Sequence, residues 1–132
     1  MIQPLTDAEL RGYLARIGHA GARQPDLATL TALQRAHIAA IPFETTAMML
    51  GDPPTLDPDR AYHRLVTNRL GGCCYEMNGL FGRVLATIGF VVTRLGPVSG
   101  ATCAAMGSSD RTSASRSAWS GIIWLTSASL AA

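Results

Sequence analysis

The 132-residue chain contains no lysine, no serine before residue 97 and no histidine after His63. Without lysine, and with no strand before it, Gly107-Ser108-Ser109 is not a phosphate-binding loop. Charge is also scarce: 15% of residues are charged and the formal net charge is +2. No basic run concentrates that charge, so neither nucleic acid nor a membrane surface is an expected partner. No apolar run approaches the roughly 18 to 20 residues that cross a bilayer. The start, Met1 to Glu9, is polar and acidic where a secretory signal has basic residues and then an apolar stretch, which predicts a cytoplasmic protein. In that compartment Cys73, Cys74 and Cys103 are thiols and not a disulfide framework. Two adjacent cysteines and a distant third lack the paired spacing of a tetrahedral zinc site, so no metal is expected.

The missing serines follow a pattern. All nine lie after Gly96, in a stretch with only three charged residues, Asp110, Arg111 and Arg116, against seventeen before it. All eleven basic residues are arginine, which suggests GC-rich coding. The chain therefore reads as two sequences of different origin joined near Gly96. Residues 1–96 form a helical domain, and residues 97–132 form a serine- and alanine-rich tail expected to be irregular and poorly ordered.

Punctuation defines four helices in the first part. Thr6-Asp7-Ala8-Glu9 is a capping-box pattern, and Leu10, Tyr13, Leu14 and Ile17 follow at helical spacing until Gly18. Asp26 caps a second helix with Leu27, Leu30, Leu33 and His37 on one stripe, which must end before Pro42. Ile41-Pro42-Phe43-Glu44 is then an extended turn, and Gly51-Asp52-Pro53-Pro54 a loop. Asp57-Pro58 opens a third helix with an apolar face of Ala61, Tyr62, Leu65 and Val66. After Gly71-Gly72, the residues Cys74, Met77, Leu80, Phe81, Val84, Leu85 and Ile88 form one stripe closed by Gly89. Phe90-Val91-Val92 is β-rich and begins a sheet, whereas Ile122 to Leu125 is an apolar patch with no assigned structure.

Chemistry concentrates at Gly71-Gly72-Cys73-Cys74-Tyr75-Glu76. A glycine pair permits a sharp turn and close backbone approach. The helix after it places Cys74 in a first turn, where the macrodipole and unpaired N–H groups favour a thiolate. These residues alone leave two readings open, a nucleophile or a small buried residue at a helix start, and the second is the commoner. Cys73 lies one step off the apolar stripe. His37 is expected to be packed and hydrogen-bonded, and His19 and His63 to face solvent; none pairs with Cys74 on sequence grounds.

Taken together, Tyr13-Leu14-Ala15-Arg16-Ile17-Gly18, Ile41-Pro42-Phe43-Glu44 and Gly71-Gly72-x-Cys74-Tyr75-Glu76-x-Asn78-Gly79-Leu80-Phe81 resemble the arylamine N-acetyltransferase family, over roughly residues 8 to 96. The resemblance implies an α+β, papain-like cysteine enzyme, of which this chain holds mostly the α-helical N-terminal bundle and the start of a β-barrel. It implies Cys74 as nucleophile, with Gly71, Gly72, Tyr75, Glu76 and Asn78 supporting it and Ile41, Pro42, Phe43 and Glu44 as a structural motif. It also implies that acetyl passes from acetyl-CoA, a co-substrate and not a bound cofactor, through a cysteine thioester to an arylamine or hydrazine in ping-pong order. Two positions depart from the family pattern. Leu70 stands where arginine commonly precedes the glycine pair, with Arg69 one step earlier, and Cys73 occupies a position usually aromatic. Another papain-like enzyme, such as a transglutaminase relative, would not account for Ile41-Pro42-Phe43-Glu44. A non-catalytic helical interaction module, with Cys74 buried in its core, is the alternative of a different class.

The family's activating histidine and orienting aspartate should follow Val92, the second within a stretch like Trp-Leu-Ala-Asp-Val-Gly-Phe-Gly. Reading codons from the third base of the present ones, Trp124 to Ser129 permits Ala-Asp-Val-Gly-Phe, Arg111-Thr112 permits His, and Gly96 to Ser99 permits Ala-Arg-Val. A frameshift near Gly96 is therefore expected, leaving this chain inactive or vestigial. The helical face meant for the barrel would then be exposed and prone to non-specific self-association.

Overall fold

The computed structural model describes residues 2–93 and, as backbone, residues 125–126. Helix α1 (Asp7–Ile17) starts where the Thr6 hydroxyl accepts the Glu9 N–H while the Glu9 carboxylate accepts the Thr6 N–H, and it stops at Gly18 in the left-handed region. Helix α2 (Leu27–Ala40) is capped by Asp26, whose carboxylate accepts the Thr29 N–H. A short α3 (Thr46–Met49) precedes α4 (Pro58–Tyr62), which Asp57 caps through the N–H groups of Asp59 and Arg60. The chain then widens into a π-helical turn, His63–Thr67, before α5 (Cys74–Ile88), which closes at Gly89. Strand β1 (Val92–Thr93) pairs antiparallel with β2 (Leu125–Thr126), Val92 opposite Thr126 and Thr93 opposite Leu125.

The core forms where the apolar stripes meet. Tyr13, Leu14 and Ile17 from α1, Leu33 from α2, Leu65 from the π-turn, and Leu80, Val84 and Leu85 from α5 are buried in one cluster. Each such aliphatic side chain contributes about 1.5–3 kcal/mol on leaving water. Two arginine side chains, half-buried Arg16 and buried Arg83, tie the elements together by their backbone carbonyls. Arg16 donates to Leu65 O at 3.0 Å and Ala40 O at 2.8 Å, and Arg83 donates to Gln3 O and Pro58 O, both at 3.0 Å.

Four details differ from the sequence expectation. Leu27, assigned to the α2 stripe, is 76% exposed, because it opens the helix beyond the reach of the core. The third helix is α4 plus a π-turn, closed by Asn68 N–H to His63 O at 2.8 Å. That extra residue turns Leu65 and Val66 inward together while sending Arg64 toward α5. Helix α3 was not expected. Leu125 and Thr126, left without structure in the sequence reading, pair with β1. The remaining expectations for residues 97–132 lie outside the described residues.

Candidate active site

The two sequence motifs meet through their backbones. Phe43 and Gly72 form a parallel bridge, in which the Glu44 N–H donates to Gly72 O at 3.0 Å and the Gly72 N–H donates to Pro42 O at 3.3 Å. The glycine pair serves close approach here, not a turn. A Cβ on Gly71 would lie 2.5 Å from Pro42 O, and one on Gly72 would lie 2.8 Å from both a Glu76 carboxylate oxygen and Leu65 Cδ2. The left-handed residue of this segment is Arg69, at φ 56°. Tertiary bridging across residues 42–44 therefore sets where α5 begins.

At that beginning Cys73 takes the N-cap position and is 1% exposed, whereas Cys74, the first helical residue, is half-buried. The stripe reading had these reversed, because Cys73 turns inward beneath the bridged segment before the helical period starts. Tyr75 and Asn78 are half-buried, and Glu76 is 2% exposed. The Glu76 carboxylate accepts the Cys73 N–H at 3.0 Å through Oε2 and the Thr55 N–H at 3.2 Å through Oε1. Arg64 Nε stands 3.9 Å from Oε1 and donates to Gly71 O at 3.4 Å, while its Nη1 meets Asp52 at 3.0 Å. Ile41 is buried and Phe43 partly exposed. Among the described residues Glu44 joins the site by its backbone and forms no ion pair with Arg69.

The three histidines are engaged elsewhere. His37 Nδ1 lies 2.8 Å from the Tyr13 hydroxyl, with the ring against Phe81 at 5.1 Å between centroids. Burial, and secondarily the Arg16 charge, push its pKa down to about 4, so the ring is neutral and the hydroxyl donates to Nδ1. Burial pushes the Tyr13 hydroxyl pKa up. His19 contacts Ala22 O at 3.3 Å, and exposed His63 stands edge-on to Tyr62. An open cavity of about 270 Å³ lies beside the site, with Asp52, Arg60, His63, Arg64, Asn68 and Leu70 in its walls. Among the described residues no group of three or more His, Cys, Asp or Glu is placed to hold a metal, and no helix is long and apolar enough to cross a membrane. Sequence reasoning missed Arg64 and Thr55. Their partners are a carbonyl, a loop carboxylate and a capping carboxylate, which only the folded chain brings together.

The chain has counterparts among known proteins. A family described as N-acetyltransferase matches residues 26–112. The chain belongs to the arylamine N-acetyltransferase family. The arylamine N-acetyltransferase of Mycolicibacterium smegmatis is 49% identical over 88 residues, covering 66% of this chain and 32% of the relative. The solved arylamine N-acetyltransferase of M. tuberculosis superposes with a TM-score of 0.64 at 42% identity, covering 67% of this chain and 33% of that one. That of Mycobacterium marinum, solved in complex with CoA, gives 0.63 at 45% identity over 67% and 32% of the two chains. The chain therefore spans about a third of the length of the relatives it matches, and it holds the helical N-terminal portion of their papain-like fold.

Proposed function

We propose that this chain carries the nucleophile of an arylamine N-acetyltransferase, Cys74, without the groups that would let it turn over. In the reaction inferred, the Cys74 thiolate attacks the carbonyl carbon of acetyl-CoA. The bond from that carbon to the CoA sulfur breaks, and CoA leaves as a thiol after taking a proton. An arylamine, arylhydrazine or hydrazide nitrogen then attacks the thioester and loses a proton as the amide forms, and Cys74 is returned. A cytoplasmic setting, where thiols stay reduced, suits this chemistry.

The observation that carries the reading is the position of Cys74, half-buried as the first residue of a helix whose preceding peptide is bridged to Phe43. The CoA complex of the M. marinum relative supports acetyl-CoA as co-substrate. Residues 97–132 are read as out of frame. All three histidines precede Cys74, and Asp110 is the one acidic residue after Glu76. Losing one member of such a catalytic unit lowers kcat by on the order of 10⁴ to 10⁶.

The purified 132-residue chain, given acetyl-CoA and an arylamine, is therefore expected to form acetylated product at the background rate. Turnover that disappears in Cys74→Ala would contradict this reading.

A further inference from the structure

A carboxylate as buried as that of Glu76 is costly unless its charge and lone pairs are matched. Here they are matched by a closed circuit. Glu76 binds the Cys73 and Thr55 N–H groups and faces Arg64, and Arg64 binds Asp52, three residues before Thr55 on the same loop. The circuit also grips the turn that leads into Cys74 at both ends, with Arg64 on Gly71 O and Glu76 on the Cys73 N–H. A helix cap alone needs only an acceptor for the N–H. A buried charge shared with a guanidinium adds direction, and it ties the peptide before the thiol to the π-turn and to the loop at residues 52–55. Arg64 thus reaches from that π-turn to the glycine pair, beside which Leu70 offers no charge.

We propose that Glu76, backed by Arg64, is the positioning residue for the Cys74 thiol, an inference that rests on the reading of Cys74 as nucleophile. With the circuit intact, the peptide before Cys74 is held at both ends and the half-buried thiol keeps one position at the head of α5. With it broken, that segment reorients and the thiol loses its position, although the core side of α5 remains packed.

The test is the rate at which iodoacetamide alkylates each cysteine of the full 132-residue chain, read by peptide mass spectrometry, in the unsubstituted protein and in E76Q, R64M and R64K. Helical circular dichroism is recorded for each. E76Q is expected to slow Cys74 about tenfold, the equivalent of one charge-assisted hydrogen bond. R64M is expected to slow it as well, and R64K, which keeps the positive charge, to recover much of the loss. A role in stability alone predicts the opposite direction, since opened molecules expose both Cys73 and Cys74 and react faster. Removing a nearby negative charge without loss of position would also speed Cys74. A Cys74 rate in E76Q at or above that of the unsubstituted chain overturns the inference, as does R64K behaving like R64M. If E76Q loses its helicity, the comparison of R64M with R64K decides. Equal rates at all three cysteines of the unsubstituted chain would remove the nucleophile reading and this inference with it. A Cys74 preference that E76Q leaves undiminished removes the inference alone.

Discussion

The Glu44 N–H donates to Gly72 O at 3.0 Å, and this bond joins two motifs that lie far apart in sequence on either side of the third helix. The approach leaves no room for a side chain at Gly71, whose added Cβ would stand 2.5 Å from Pro42 O and 3.0 Å from Glu44 Cβ. Both obstacles belong to the bridged segment, so a substitution must move backbone. Gly71→Ala is expected to destabilise the chain by about 1–3 kcal/mol, seen as a lower urea midpoint by circular dichroism.

His37 gives a pH dependence whose sign follows from its burial. Its pKa is about 4 in the folded chain against an ordinary 6.5, so the unfolded chain takes up this proton first as pH falls. The contribution is complete above about 6.5 and declines toward about 4, by at most about 3 kcal/mol. Glu9 and Asp26 are held below the ordinary carboxylate range by hydrogen bonds from Thr6 and Thr29, so their contributions are lost only in more acid solution. Urea midpoints compared at about pH 7 and pH 5 should therefore fall in the unsubstituted chain and stay nearly level in His37→Gln.

These two sites show how much the sequence disclosed. Helices α1, α2 and α5 were legible because Thr6, Gly18, Asp26 and Gly89 are local signals whose physics needs no partner. Cys74 was legible as a helix-leading thiol, and His37 as a packed ring. The π-turn was not, because its extra residue answers a tertiary demand: Arg16 takes Leu65 O, and Arg64 swings toward Gly71. Helix α3 has no side-chain cap at Thr45 to announce it. The burial of Cys73 depends on a bridge to residues 42–44 that no local pattern encodes.

Apolar surface remains on the outside. Met49 and Leu50, consecutive at the end of α3, are 88% and 82% exposed, and Leu56 and Ile38 are exposed as well. The chain is expected to bind an apolar-surface dye and to scatter light increasingly with concentration. Replacing Met49 and Leu50 together with glutamine should reduce both signals.

The reading of residues 97–132 predicts the coding DNA. Read from the third base of each present codon, it should stay open past Gly96, with a histidine codon across Arg111-Thr112 and an aspartate codon across Leu125-Thr126. Inserting one base beside codon 96 in the gene should raise Cys74-dependent acetyl transfer by at least about 10⁴ over the present chain, measured as acetylated arylamine. A stop codon just after Gly96 in that frame would end the idea.

The central claim is that Cys74 is a chemically distinct thiol at the head of α5, and per-cysteine alkylation of the unsubstituted chain tests it most directly. The account predicts that Cys74 reacts markedly faster than buried Cys73 and than Cys103. Equal reactivity across the three would contradict it and favour a helical interaction module in which Cys74 is only a small packing residue.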